Sequence, residues 1–133
     1  MYSYCESLLA QLAAVESANK GRTEKIKTKI KEKIAEHFDK VGLDENRLEQ
    51  EVLFYSEKID ISEEQVRLKI HLDFLKNELN NSTSSGKKLN FITQEIGREI
   101  NTIGSKANDA KIQQHVVTMK EDLEKLKEQL NNI

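Results

Sequence analysis

The 133-residue chain has no proline, no tryptophan and only five glycines. Few positions can therefore break a helix. A sheet protein would need more β-branched residues and turn glycines than this chain carries. The single cysteine, Cys5, excludes an internal disulfide and fits a reducing cytoplasm. No run approaches the ~18 apolar residues of a membrane span, and no signal peptide is visible. The formal net charge of −2 does not by itself point to a nucleic-acid partner. Motifs for nucleotide cradling and common catalysis are missing as well. There is no P-loop, no dinucleotide glycine motif, no CxxC, no HExxH and no G-x-S-x-G.

What is present is helix. Hydrophobic residues make up 37% and charged residues 33%, a balance that suits long helices with solvated faces. The length fits one domain. Long helices in so short a chain expose much surface, so helices from a partner are expected to complete the core. The expected class is all-α: about five helices in hairpins, with a long C-terminal coiled-coil helix.

Residues 2–18 read as a first helix, with Leu8, Leu9, Leu12 and Val15 on one side. It starts at Met1 without a capping sequence, and Asn19-Lys20-Gly21 resembles a stop with glycine at C′. Thr23 is placed to cap the next helix, 24–39, whose seam is Ile26, Ile30, Ile34 and Phe38. Lys20, Arg22, Lys25, Lys27, Lys29, Lys31 and Lys33 make this the basic segment, opposed by Glu24 and Glu32. Lysines spaced by two spread around a helix, so a solvated face is favoured over a phosphate-contacting arm.

Val41-Gly42 closes that helix, and Asp44 is placed to cap 45–59. There Leu48, Val52, Tyr55 and Ile59 form the expected core stripe, with Arg47, Glu51, Phe54 and Lys58 beside it. Ser62 with Gln65 reads as a capping box for helix 63–80. That helix has two apolar stripes, Leu68-Leu72-Leu75-Leu79 and Val66-Ile70-Phe74. Between them run Glu64, Arg67, His71 and Glu78, while Lys69, Asp73 and Lys76 take the solvated face. A polar line between two apolar stripes is expected to be partly buried and paired.

After the polar loop 80–86, NNSTSSG, comes Lys87–Asp109. At 100° per residue Leu89, Ile92, Ile96, Ile100 and Ile103 share one narrow sector. Glu95, Glu99, Thr102 and Lys106 form a second stripe at its border, with Arg98 and Phe91 nearby. Packing alone does not need this second stripe, so both faces are expected to touch something. The last helix, about 108–131, spaces Ile112, Val116, Met119, Leu123, Leu126, Leu130 and Ile133 as a heptad seam. It is expected to pack as a coiled coil, within the chain or across an oligomer. His115, beside the seam, reads as structural.

One histidine and several carboxylates remain as candidate chemistry. Glu95 and Glu99 lie one turn apart on one helix, and His71 and Glu64 lie on another. If these helices are neighbours, imidazole and carboxylate groups suit a divalent metal, which would activate water and neutralise a phosphate. Arg67, Arg98 and Lys106 would hold substrate phosphates. Taken alone, a structural ion-pair network explains these residues better.

From Arg47 onward the sequence resembles the C-terminal domain of the YicC-like (YicC/YloC) family. The resemblance is carried by RLEQEV (47–52), KIDISEEQVRLKIHLDFL (58–75), GKKLNFITQEIGREINTIGSKAND (86–109), HVVTMK (115–120) and LKEQLNNI (126–133). Residues 1–46 resemble the family's middle helical segment only loosely. The expected division is thus 1–46 and 47–133. The resemblance implies a bacterial cytoplasmic, divalent-metal-dependent endoribonuclease that acts on RNA and assembles as a ring-like homo-oligomer, a hexamer. The family positions fall on Glu51, Lys58, Asp60, Glu64, Arg67, His71, Glu95, Arg98, Glu99, Asn101, Thr102, Ser105 and Lys106. These largely coincide with the residues that helical geometry sets apart. The expected site is Glu95, Glu99 and His71 as catalytic and metal-binding residues, with manganese or magnesium. Arg67, Arg98, Lys106, Lys58, Asn101 and Thr102 are expected to bind substrate. Full-length family members carry a further, strand-rich N-terminal domain that is not in this sequence, so the chain is expected to be a fragment or a short relative. The alternative reading is a non-catalytic helical module for oligomerisation or RNA presentation, its polar stripes structural ion pairs.

Overall fold

A computed structural model describes residues 1–41, 45–81 and 85–131, without the side chains of 23, 34, 37–41, 45 and 48. The described chain is helical with no strand. Six helices follow one another: α1 (Tyr2–Asn19), α2 (Arg22–Val41), α3 (Glu45–Ile59), α4 (Ser62–Leu79), α5 (Gly86–Lys106) and α6 (Ala110–Asn131). The all-α expectation holds, with one helix more than the rough count of five.

Helices α1, α4, α5 and α6 form a four-helix bundle in that cyclic order, because α1 packs on α4 and α6 while α5 packs on the same two. Helices α2 and α3 form a hairpin packed chiefly on itself. The bundle core is built from the stripes read from sequence. Leu8, Leu12 and Val15 of α1 meet Leu68, Leu72 and Leu75 of α4, and all are buried. Leu89, Ile92, Ile96, Ile100 and Ile103 of α5 are buried too. Ile112, Val116, Met119, Leu123 and Leu126 of α6 complete the core. Its heptad seam is therefore spent inside the chain, against α1 and α5. This single chain buries a continuous core, contrary to the expectation that partner helices are needed to complete one. Ile133, the last seam position, lies outside the described residues.

Two glycines set the α5–α6 spacing. A β-carbon at Gly104 would sit 3.2 Å from Val116 Cγ1, and one at Gly97 would sit 3.3 Å from Leu123 Cδ2. Either contact is tight, so the missing side chains let the two backbones approach.

The helix ends depart from the sequence reading in instructive ways. Lys20 is in the right-handed helical region, and Gly21 does not adopt a left-handed φ. The chain makes a short turn there and restarts helix at Arg22, so Thr23 is inside α2 rather than capping it. Asp44 and Gly42 lie outside the described residues. The Ser62/Gln65 capping box does not form: Ser62 is already helical and Ile61 is the cap residue. Asp60 replaces it. Its Oδ1 accepts from the Ser62 amide at 2.9 Å and the Ser62 hydroxyl at 2.6 Å. A carboxylate just before a helix satisfies a free amide and suits the positive end of the helix dipole. For α5, Ser85 caps by accepting from the Lys88 amide at 3.2 Å.

One apolar stripe and several single apolar residues are not used by the single chain. Val66, Ile70 and Phe74 of α4 are exposed, as is Phe91 of α5. Helix α3 buries Val52 but leaves Leu53, Phe54 and Tyr55 exposed, so Tyr55 is not a core residue. A two-helix hairpin offers α3 one neighbour, which covers only one side. Leu48, from the same expected stripe, lies outside the side chains described.

Candidate functional site: a charged seam between two helices

The polar lines of α4 and α5 meet. Arg67 Nε donates to Glu99 Oε1 at 2.9 Å. Lys106 Nζ donates to Glu64 Oε1 at 2.8 Å and to the Asp60 carbonyl at 3.4 Å. Arg67 also reaches back along its own helix to Glu64 (3.5 Å) and Glu63 (3.4 Å). Two cations and three carboxylates therefore share one network across the interface. Its carboxylates Glu64 and Glu99 are 2% and 6% exposed, whereas Arg67 and Lys106 reach solvent. Buried carboxylates need such partners. The bond to Glu99 raises the Arg67 pKa, so its proton is held even more firmly than usual.

Glu64 Oε2 is buried without a hydrogen-bond partner. Glu64 also lines a cavity of about 320 Å³ with Glu57, Asp60, Glu63 and Lys106. Asp60 is held below the ordinary carboxylate range, first by the Ser62 hydroxyl and then by its amide.

His71 is half-buried one turn beyond Arg67 on α4. The antiparallel register that pairs Arg67 with Glu99 and Glu78 with Lys88 sets His71 opposite Glu95, between those two pairs. Among the described residues no hydrogen bond joins them. Glu95 lies 3.8 Å from Arg98 on its own helix. The seam thus brings together Glu64, Arg67, Glu99 and Lys106, with His71 and Glu95 at the same level of the antiparallel pair.

Other expected site residues are elsewhere or bonded locally. Lys58 lies on α3, its ammonium 4.7 Å from the centre of the Phe54 ring. Thr102 Oγ1 donates to the Arg98 carbonyl, and Ser105 Oγ donates to the Asn101 carbonyl, each at 3.0 Å within α5. Glu51 is half-buried on α3.

The expected metal trio does not fit a divalent ion in one chain. Among the described residues no three His, Cys, Asp or Glu side chains come close enough to hold one. Glu99 turns into the interface and takes Arg67, whereas Glu95, one turn earlier, stays at the edge with Arg98. One turn along a helix brings two carboxylates near each other, but the facing arginine separates their roles.

Two further residues have clear roles. Cys5 is buried with its thiol 3.6 Å from the Leu72 carbonyl, and burial with nearby Glu6 pushes it up to about 11. It is an inert core group, in keeping with its lack of nucleophile context. His115 Nδ1 lies 2.6 Å from Gln11 Oε1, a structural link between α6 and α1.

Arg22 is the residue that sequence reasoning missed. Its side chain is buried, and burial lowers its pKa. Its Nη1 donates to Asn19 Oδ1 (2.9 Å) and the Ile59 carbonyl (3.2 Å), and its Nη2 to the Lys106 carbonyl (3.2 Å). Asn19, Ile59 and Lys106 are the last residues of α1, α3 and α5. One guanidinium therefore sits at three helix C-termini, where cations are favoured and carbonyls lack partners. In sequence it is one basic residue among seven, with nothing to mark it.

Among the described residues no helix is long and apolar enough to cross a membrane. Residues 15–133 match the family model described as endoribonuclease YicC-like, C-terminal. The chain is 42% identical over 130 residues to the probable endoribonuclease YicC of Clostridioides difficile, covering 97% of this chain and 44% of that protein. It is 35% identical over 105 residues to the probable endoribonuclease YicC of Haemophilus influenzae, covering 77% of this chain and 37% of that protein. The chain thus spans less than half the length of these relatives. With a match running through both helices of the charged seam, the chain belongs to the YicC-like endoribonuclease family and corresponds to its C-terminal region.

Proposed function

We propose that this chain acts on RNA as the helical domain of an endoribonuclease, and that the α4–α5 seam handles the scissile phosphate. The observation that carries this reading is the seam itself. In a chain whose family is described as endoribonuclease, two buried carboxylates and two solvent-reaching cations share one helix interface, with an imidazole on the same line of α4. Arg67 and Lys106 supply positive charge for a phosphate and its developing negative charge. Arg98 lies on the same helix as Lys106, largely exposed, and can add to that charge. His71, half-buried and level with Glu95 in the register, is the group suited to move a proton to or from a ribose or leaving oxygen. Glu99 and Glu64 position the two cations.

The competing reading, a non-catalytic module with structural ion pairs, is favoured by how completely Arg67 and Lys106 are paired. One assay separates them. RNA cleavage is followed with this chain, with His71→Ala and with Glu95→Gln, each with a chelator or with added manganese or magnesium. The endoribonuclease reading expects cleavage by the parent and at least a hundredfold loss in His71→Ala. Cleavage at the parental rate in both variants sinks the site assignment. A parent that binds RNA without cutting it supports the module. A divalent ion would need a further ligand from RNA or a second copy, and the chelator arm reads that dependence.

The proposed homo-oligomer has a surface to match. Val66, Ile70 and Phe74 of α4 and Phe91 of α5 are exposed, and large exposed apolar side chains suit a partner surface. Sedimentation should show an assembly that Ile70→Glu with Phe91→Glu dissociates; a parent that is monomeric throughout removes this part.

A further inference from the structure

A cavity of about 660 Å³ opens where the start of α2 passes the start of α6. Its wall carries Arg22, Lys25 and Lys29 from α2, Lys111 from α6, and one carboxylate, Asp109. The Oδ1 of that carboxylate accepts from the Ile112 amide at 3.0 Å and caps α6, and its charge also acts on Arg22. Lys25, Lys29 and Lys111 are exposed and form no salt bridge among the described residues. The lysines of α2 do spread around the helix, but not into solvent alone. Lys27 and Lys31 face the α3 side, with Glu49. Lys25 and Lys29, one turn apart, face the bundle and converge with Lys111.

A second observation is independent of surface charge. Arg22 lines this cavity with a side chain only 6% exposed, and its Nε is buried without a hydrogen-bond partner. Buried donors left unpaired are exceptions in native proteins and point to a missing acceptor. The start of α6 adds first-turn amides of Ala110 and Lys111, which have no intrahelical partner. Four cations thus stand against one carboxylate in the cleft wall, with Ser17 and Asn108 as its neutral polar side chains. The cleft far exceeds one phosphate in size, and its cations stand on two helices, which suits successive phosphates of a strand. It is also joined to the seam. Arg22 bonds the Lys106 carbonyl, and the Lys106 ammonium bonds Glu64.

We propose that this cleft, through Lys25, Lys29, Lys111 and Arg22, holds backbone phosphates of RNA whose scissile bond lies at the α4–α5 seam. The inference rests on the RNA reading above and assigns it a separate binding surface. The binding it describes is electrostatic, without base readout, and so depends on salt.

The test uses a fluorescent 2′-O-methyl RNA oligonucleotide, which resists cleavage, and follows binding by anisotropy over a salt series. The cleft variant is Lys25→Gln with Lys29→Gln and Lys111→Gln. The control, with the same charge change, is Lys27→Gln with Lys31→Gln and Lys125→Gln. Circular dichroism melts establish that both variants fold. The expected result is at least tenfold weaker binding in the cleft variant and less than threefold in the control. The slope of log affinity against log salt should fall by about 2 in the cleft variant, because each single-strand phosphate that a lysine neutralises contributes ~0.7. Equal losses in the two variants, an unchanged cleft variant, or a parent that binds no RNA would overturn the proposal. Cleavage of unmodified RNA keeps the two readings apart. A parent that binds through the cleft but never cuts leaves the cleft standing and removes the seam. A parent that cuts, with a cleft variant binding as well as the parent, does the reverse.

Discussion

The guanidinium of Arg22 donates to the carbonyl of Lys106, 84 residues further along the chain, at 3.2 Å. The same guanidinium takes the Ile59 carbonyl and the Asn19 side chain. It joins the ends of α1, α3 and α5 where the α2–α3 hairpin leaves the bundle. Because Lys106 also holds Glu64, this hub fixes one end of the charged seam.

Arg22→Met should therefore lower stability by about 2–3 kcal/mol, since it leaves the terminal carbonyls of Ile59 and Lys106 and the Asn19 side-chain oxygen without their donor. Arg22→Lys should not restore the loss, because one ammonium lacks the planar fork that reaches three acceptors. Urea unfolding followed by circular dichroism measures both. Parental stability in Arg22→Met would remove the hub.

Lys106→Met leaves Glu64 buried with only the longer Arg67 contact, and should cost about 2 kcal/mol. Adding Glu64→Leu should return most of that loss, because an apolar pair avoids desolvating charge. Equal and additive losses in a double-mutant cycle would mean that the pair is not coupled.

Asp60→Ala should cost about 1 kcal/mol at neutral pH by uncapping α4. The folded-state pKa of Asp60 is lowered. Its contribution is therefore present above the unfolded-state pKa and is lost as pH falls through the lower, folded value. The stability gap between parent and Asp60→Ala should narrow in acid, and urea midpoints from pH 7 downward test this. A gap that widens contradicts the cap.

Cys5 should resist a thiol-reactive disulfide reagent in the native protein and react fully once unfolded. Its pKa is raised from 9.0 to about 11, so between these values the unfolded state sheds a proton that the native state keeps. Stability should fall as pH rises through that window, by roughly 2–3 kcal/mol in all. Cys5→Ala should flatten that part of the profile. Rapid labelling of folded protein would place Cys5 outside the core.

Much of this protein was legible in its sequence because helical periodicity is local. The absence of proline and the apolar spacing set an all-helical chain. The stripes Leu89-Ile92-Ile96-Ile100-Ile103 and Ile112-Val116-Met119-Leu123-Leu126 are buried as read. The polar lines of α4 and α5 were legible too, since a charged row beside an apolar stripe needs no knowledge of neighbours to be noticed.

Tertiary structure decided everything that depends on which helix faces which. It joined Glu99 to Arg67 rather than to Glu95, because α4 presents an arginine at that level. It turned Val66, Ile70 and Phe74 outward, because α1 and α5 cover the other stripe of α4. It gave the free amide at the start of α4 to Asp60 and left Ser62 no capping role, since Ser62 is already inside the helix. It singled out Arg22 among seven basic residues by gathering three helix ends around it. A sequence fixes each helix's faces through bonds and contacts a few residues apart. Partners tens of residues away follow only from the packing of whole helices, and that packing sets the seam and the cleft.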